Sequence, residues 1–323
     1  MSTNAHLKNA HLKIVQPGLL ATVQDRGRFG YSSQGVSRGG AVDERAFLWA
    51  NKLLGNAPNA PAIEVTLGGF KAKVLTPGFA VVCGAAANVN LNDQPQPNWQ
   101  VFATAPGDVI DILAPARGLR CYLAVAGGFD VPLTLGSAAT VVRDGLGGLR
   151  GDGTPLQVGD ELAKGCASMY PAVVNRRPKH ELIPRISAHS ELQLGMVPVA
   201  QFAQFSADEQ QRLFNQAYTV TAQQDRMGVR LQGEQGMHWP HPQIISEPLP
   251  VGAIQIPPDG QPIVMLNDAQ SLGGYPKVGV LSWSARMALA QASAGTKVRF
   301  VALELGHAQD ELRAAELFFG CTG

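Results

Sequence analysis

The sequence predicts a mainly β protein of two tandem, barrel-like domains with a few helices, and three observations lead there. Short β-rich runs recur along the chain, bounded by Gly, Pro or Asn. The 36 glycines and 22 prolines among 323 residues make a turn-rich chain. That content stays below the roughly 25–30% of low-complexity sequence and favours many short strands joined by tight turns. The two halves also echo each other. Gln24-Asp25-Arg26-Gly27 recurs as Gln224-Asp225-Arg226-Met227-Gly228, in each case after a Thr/Val-rich strand. Pro77-Gly78-Phe-Ala-Val-Val has a counterpart in Gly260-Gln-Pro-Ile-Val-Met, and Gly107-Asp-Val-Ile-Asp-Ile resembles Gly295-Thr-Lys-Val-Arg-Phe. Echoes this short arise by chance or by duplication. A duplication means two barrel-like domains with their polar loops at equivalent places.

In chain order, the first-half strands are Lys13–Val15, Ala62–Thr66, Lys71–Leu75, Phe79–Cys83, Asn88–Leu91, Val109–Leu113 and Arg120–Ala126. One helix interrupts them within 41–55, where Phe47, Ala50 and Leu54 share a face and Gly55 follows the last turn as a stop. Three prolines and four basic side chains crowd residues 170–184, which places a linker at 166–184 between a first domain at 12–165 and a second at 185–323. Ser206-Ala-Asp-Glu209 is a capping box that opens a helix through Leu213, Phe214 and Ala217. Strands follow at Tyr218–Ala222, Ile244–Ile245, Gly252–Ile256, Ile263–Leu266, Val278–Leu281 and Val298–Leu303. A helix near Ala285–Ala292, started by Ser284, and a terminal helix near Ala308–Phe319 complete the second half.

Composition excludes several function classes. Apolar residues make up 45%, enough for sizeable cores, while charged residues are only 16% against about 25% in an average protein. Both a subunit that hides surface against partners and an apolar-rich monomer have this balance. A net charge of +1 supplies no general field for phosphate backbones or anionic lipid, so nucleic acid and membrane are not expected partners. Cys83 and Cys121 sit in apolar runs and read as small buried hydrophobes; with Cys166 and Cys321 they form no CxxC pair, as expected of a reduced, cytoplasmic chain. The N-terminus lacks the apolar core of a signal peptide, and no apolar run reaches membrane length.

The sequence contains no GxxxxGK[ST] or HExxH motif. Gly145-Leu-Gly147-Gly148-Leu-Arg-Gly151 has the wrong spacing for a dinucleotide loop and reads as a surface or pocket-edge loop. His238 and His241 are separated from a helical face by prolines and read as a solvated loop, so no metal site is expected.

Two polar, glycine-rich segments stand out. The first runs from Gln24, Asp25 and Arg28 through Ser37-Arg38-Gly39-Gly40 to Asp43. Its glycines let backbone amides approach a ligand, and Arg and Asp supply fixed charge. The plain alternative is an Asp–Arg pair bracing a turn, with Asp43 at the positive end of a helix. The second runs from Gln255 through Gln261, Asn267, Asp268, Gln270, Ser271, Gly273, Gly274 and Tyr275 to Lys277. An apolar strand that ends in amide, carboxylate and ammonium groups is a common way to build a small-molecule pocket. The alternative is an ordinary turn in which Asp268 caps backbone and Lys277 is solvated.

These blocks carry a resemblance. QDRGRFG, GVSRGGAVDERAFLWANKLLGN, AIEVTLGG, CYLAVAGGFDVPLTLGS, QDRMGVRLQG and GAIQIPPDGQPIVMLNDAQSLGGYPKVG occur in order from about residue 12 to 303. In this the chain resembles the biotin-dependent carboxyltransferase-like family, also called the allophanate hydrolase subunit 2 family, and most of all its free-standing branch in bacterial 5-oxoprolinase. The resemblance implies two cyclophilin-like β-barrel domains. It also implies ATP-dependent opening of 5-oxo-L-proline to L-glutamate, made jointly with the A and B subunits of that enzyme, with B as the direct partner and magnesium accompanying ATP in the complex. A sister branch forms the carboxyltransferase domain of urea carboxylase and takes carboxybiotin, but the carrier domain that chemistry needs has no counterpart here. Another branch regulates an inhibitor of a sporulation kinase without turnover.

Two places depart from the pattern: Ala138 and Ala139 stand where relatives usually carry Arg, and Ser271-Leu272 where they often show two threonines. Against a lactam substrate, Arg28 and Lys277 are expected to bind carboxylate or phosphate. Asp25, Asp225 and Asp268 are expected to orient those cations or act as general bases. Gln255, Gln261 and Gln270 would hydrogen-bond the amide, with Gln24, Asp43, Ser271, Gly273, Gly274 and Tyr275 completing the ligand site.

Overall fold

The computed structural model describes residues 10–166, 168–184, 191–242 and 244–321. Residues 1–9 of the segment read for a signal peptide, linker position 167 and the second-domain start at 185 lie outside the described residues. The chain divides into two compact units, Met1–Arg28 with Gly39–Ile186, and Phe29–Arg38 with Ser187–Gly323. Phe29–Arg38, which the sequence reading draws inside the first domain, thus packs with the second unit.

In the first unit the strands form two sheets around one core. The seven-stranded sheet runs Phe129–Asp130, Glu161–Lys164, Ala10–Pro17, Phe70–Val74, Val109–Ile112, Val89–Leu91 and Gln94–Gln96. The five-stranded sheet runs Leu20–Gln24, Ala62–Thr66, Arg117–Val125, Gly78–Ala86 and Phe102–Thr104. Strand alternation explains their packing. Cys121, Leu123 and Val125 join the shared core with Leu12, Phe70 and Ile110. Arg120, Tyr122 and Ala124 point the other way, beneath helix α1 (Glu44–Leu54), where Phe47 meets Tyr122 edge-on at 6.3 Å. Helix α1 stops at Gly55 in the left-handed region, as its sequence pattern predicts, but starts later than residue 41: Asp43 caps it, its carboxylate accepting from the Ala46 amide, and does not lie in its first turn.

In the second unit the strands run round in a closed barrel: Leu192–Pro198, Lys277–Leu281, Ala253–Gln255, Ile263–Met265, Gly228–Gln232, Tyr218–Gln224 and Lys297–Ala302. Parallel pairing of Leu192 with Val298 closes the ring. Helix α2 (Ala207–Asn215) carries the predicted capping box. Helix α3 (Trp283–Leu289) corrects the expected start, since Ser282 and not Ser284 accepts from the Ala285 amide. Helix α4 spans Leu305–Phe319. The strand expected at Ile244–Ile245 is also corrected. The pairing residues are Glu247–Pro248 against Leu272–Gly273, and Ile245 is 89% exposed with no strand paired to it among the described residues.

Among the described residues no helix is long and apolar enough to cross a membrane. Cys83 and Cys121 are buried free thiols, and burial pushes both up, Cys121 to about 12. Cys166 is exposed and Cys321 partly so.

One buried imidazole makes the first unit acid-sensitive. His11 is buried in its strand with Nδ1 2.7 Å from Thr76 Oγ1. Burial first and the Lys164 ammonium second hold it down at about 4, while Thr76 pulls it partly back up. The unfolded chain, with an ordinary imidazole near 6.5, binds the proton more tightly, so protonation favours unfolding. Stability contributed by neutral His11 is complete above pH 6.5 and is lost as pH falls towards 4, by about 3 kcal/mol. Urea unfolding of wild type and His11→Gln across that window checks this: the wild-type loss exceeds that of the variant, and parallel profiles would refute it.

Candidate functional site

Gln24, Asp25 and Arg28 meet in one buried knot of the first unit. Asp25 Oδ1 accepts from the Gly27 amide (2.7 Å) and Ser137 Oγ (2.7 Å), and Oδ2 accepts from the Ala138 amide (2.8 Å). Arg28 donates from Nε to the Thr134 carbonyl (3.0 Å) and from Nη2 to the Ala139 carbonyl (2.6 Å). Gln24 donates to Thr22 Oγ1 and the Thr140 carbonyl, each at 3.0 Å. Its buried Oε1 has no hydrogen-bond partner among the described residues. The segment after Leu-Gly-Ser, where the expected Arg is replaced by Ala138 and Ala139, therefore serves this knot through its main chain. Gly147 lies against it at φ +70°, where a Cβ would fall 2.0 Å from the Ala139 oxygen and 2.3 Å from Arg28 Nη2. Only glycine fits there, and Gly147 and Gly148 are buried rather than part of a surface loop.

Asp43 is structural on this geometry. Besides capping α1, its amide donates to Tyr122 Oη (2.7 Å), which donates to Glu64 Oε2 (2.7 Å). Glu64 also accepts from the Val42 amide and faces Arg120. This buried chain fixes the angle at which the glycine-rich segment enters α1.

In the second unit the expected residues separate into three groups. Asp225 repeats the turn made by Asp25, its Oδ1 accepting from the Met227 (2.7 Å) and Gly228 (3.1 Å) amides, but it is exposed. The cation facing Asp268 is Arg226, through Nε–Oδ2 at 2.8 Å and Nη2–Oδ1 at 2.9 Å. Lys277, only 9% exposed, corrects the solvated alternative: Nζ donates to Glu247 Oε2 (2.7 Å) and its amide to Gln201 Oε1 (2.7 Å). Gln201 Nε2 completes that cluster on Glu247 Oε1 at 2.6 Å. Gln255 donates to the Tyr275 carbonyl, and Gly273 leaves room for its amide. Gly274 lies beside the Ile244 carbonyl and Ser246, and Tyr275 is exposed. Gln261 accepts from the Gly233 amide. Glu247, Gln201 and Arg226 escape the sequence reading because their partners lie 30 to 76 positions away.

The two singled-out segments also converge. Phe29, Ser37 and Arg38 from the first, with Asn267, Gln270 and Ser271 from the second, line a cleft of about 270 Å³ in the second unit. Leu249, Pro250 and Val251 form an apolar wall, and Arg286 of α3 adds a second guanidinium. Among the described residues no Asp or Glu lines it. The ribbon of Glu247–Pro248 and Leu272–Gly273 continues into this wall through a bond from the Leu249 amide to the Ser271 carbonyl (2.8 Å). Ser37 Oγ reaches the Asp268 carbonyl at 3.4 Å. A concave site with an apolar wall, amides and fixed positive charge suits a small anionic molecule. Among the described residues no three His, Cys, Asp or Glu side chains group as a metal site. His238 and His241 are exposed, as expected.

A mainly β chain with a closed barrel and a cleft of this kind belongs to a definable class. Residues 34–302 match the carboxyltransferase domain family, subdomains A and B, and the chain belongs to that family. It is 34% identical over 313 residues to the C subunit of 5-oxoprolinase from Escherichia coli, covering 94% of this chain and 96% of that protein. It is 32% identical over 316 residues to urea amidolyase of Lachancea kluyveri, covering 91% of this chain and 17% of that protein. The crystal structure of Kluyveromyces lactis urea carboxylase matches with a TM-score of 0.86 at 27% identity, over 95% of this chain and 29% of that chain. The chain thus spans less than a third of either larger protein.

Proposed function

We propose that this chain is the C-type subunit of a cytoplasmic, ATP-dependent 5-oxoprolinase, hydrolysing 5-oxo-L-proline to L-glutamate with A and B subunits. The observation that carries this reading is the near full-length match to the C subunit of 5-oxoprolinase, 96% of that protein, against 17% of urea amidolyase. A five-membered lactam is an unreactive amide, so its opening needs activation at the carbonyl and an anchor for the substrate carboxylate. ATP with magnesium supplies the activation in the complex. The chain has no phosphate loop and, among the described residues, no carboxylate cluster suited to a metal, so ATP is assigned to no residue here. This chain's part is to bind and orient the small molecule.

The test is glutamate release from 5-oxo-L-proline and ATP by the three co-purified subunits, with each omitted in turn. Turnover that disappears without this chain is the expected result. Full turnover in its absence would overturn the reading. A second reading, the carboxyltransferase component of a biotin-dependent urea or amide carboxylase, is supported by the 0.86 TM-score to urea carboxylase. Carboxyl transfer from carboxybiotin to urea by this chain would favour it.

A further inference from the structure

We propose that the cleft of the second unit is the binding site for a small organic acid that carries its carboxylate beside an amide, with Arg38 and Arg286 selecting the charge. The ligand class rests on the 5-oxoprolinase reading; the location of the site does not. Arg38 and Arg286 bring two guanidinium groups to the cleft, and none of its lining residues among the described ones is acidic. The Arg38 guanidinium lies over the Phe29 ring, 4.5 Å from its centroid, a contact that restrains the fork at the cleft wall. The Arg286 stem is seated against Gly252. At φ +89° a Cβ on that glycine would come within 2.7 Å of Arg286 Cδ, so the backbone makes room for this arginine. The Arg38 fork and the Arg286 stem therefore each have a seat at the cleft wall, and a pre-organised fork matches carboxylate geometry.

The remaining lining specifies the rest of the molecule. Buried Asn267 and half-buried Gln270 line it with side-chain amides, and Leu249–Val251 covers an apolar ring face. A volume near 270 Å³ falls just below the roughly 300 Å³ at which drug-sized pockets begin, so the cleft suits a one-ring metabolite and not a nucleotide. A neutral urea brings no charge to face the two guanidinium groups, and selection against it follows.

The experiment is calorimetric titration of the full chain with 5-oxo-L-proline, with 2-pyrrolidinone (the same ring without the carboxylate) and with urea. Binding of the acid with little binding of either neutral compound is expected. Arg38→Met and Arg286→Met should each weaken the acid about tenfold or more. Arg286→Lys should restore part of that loss, and thermal midpoints of all variants should match wild type to show that they fold. Equal binding of acid and lactam, unchanged affinity in both Met variants, or no binding of the acid would overturn the site. Loss of turnover with arginine-dependent binding intact would instead refute the 5-oxoprolinase reading and leave the site standing. Turnover that survives both Met variants would refute the site and leave the function.

Discussion

Asp25→Ala is expected to lower stability by about 3–5 kcal/mol, a large fraction of what holds an ordinary domain folded. Removing the carboxylate leaves the Gly27 amide, the Ser137 hydroxyl and the Ala138 amide as donors without acceptors in a site closed to water. Each orphaned buried group costs about 1–3 kcal/mol, reduced by whatever local relaxation lets water in. The loss should spread, because Ser137 Oγ also accepts from the Ala139 amide at 3.0 Å, and the Ala139 carbonyl receives Arg28. The same Gln-Asp-Arg turn in the second unit is the control. Asp225 supports the Met227 and Gly228 amides from an exposed position where water replaces it, so Asp225→Ala should cost about 1 kcal/mol. Urea midpoints of the two variants decide the matter. Equal losses would show that Asp25 bears no more than its exposed counterpart.

This pair also shows how far the sequence carries. The echo that aligns Gln24-Asp25-Arg26 with Gln224-Asp225-Arg226 corresponds to a shared turn, Asp Oδ1 on the amide two residues ahead. What the turn braces differs, since that depends on Ser137 in one unit and open solvent in the other. Local signals read well: α1 with its Gly55 stop, the Ser206–Glu209 box, and Ala62–Thr66 to the residue. Signals settled by distant partners do not. The strand Leu192–Pro198 carries Gly195 and a terminal proline, and exists because it pairs with Lys277–Leu281 on one side and Lys297–Ala302 on the other. Ser282 and Ser284 flank Trp283 alike, and only the position of the Ala285 amide chooses between them. In the cleft, Gln270 and Ser271 are legible from an apolar strand ending in polar groups. Arg38 falls within the first polar segment but is given no role of its own there, because that segment's junction with the second unit is not legible locally, and Arg286 escapes notice because it lies on a helix outside both motifs.

Arg226→Met is expected to cost about 3–5 kcal/mol on its own, and much of that loss should return when Asp268→Leu is added. The two side chains form a bidentate pair with both donor–acceptor distances below 3 Å, and both are nearly inaccessible to solvent. Taking charges out of water is costly, and the pair recovers that cost only while both partners are present. Removing the guanidinium strands a carboxylate in the interior. Removing both exchanges two desolvated charges for apolar packing, which is often close to neutral. Lys277 and Glu247 make the contrast, because the Glu247 side chain is 37% exposed and can be rehydrated, so Lys277→Ala should cost about 1 kcal/mol. A double-mutant cycle on Arg226 and Asp268 is the measurement; strictly additive losses would mean that the pair contributes nothing as a pair. The consequence reaches the cleft. The Asp268 amide donates to the Arg226 carbonyl at 2.9 Å, and the Asp268 carbonyl receives Ser37 Oγ, so the ion pair anchors the loop that presents Asn267, Gln270 and Ser271. Arg226→Met should therefore weaken binding of the small acid even though Arg226 does not line the cleft. The Arg226→Met/Asp268→Leu variant should recover stability further than it recovers affinity, because apolar packing replaces the charges but not the geometry they impose on that loop.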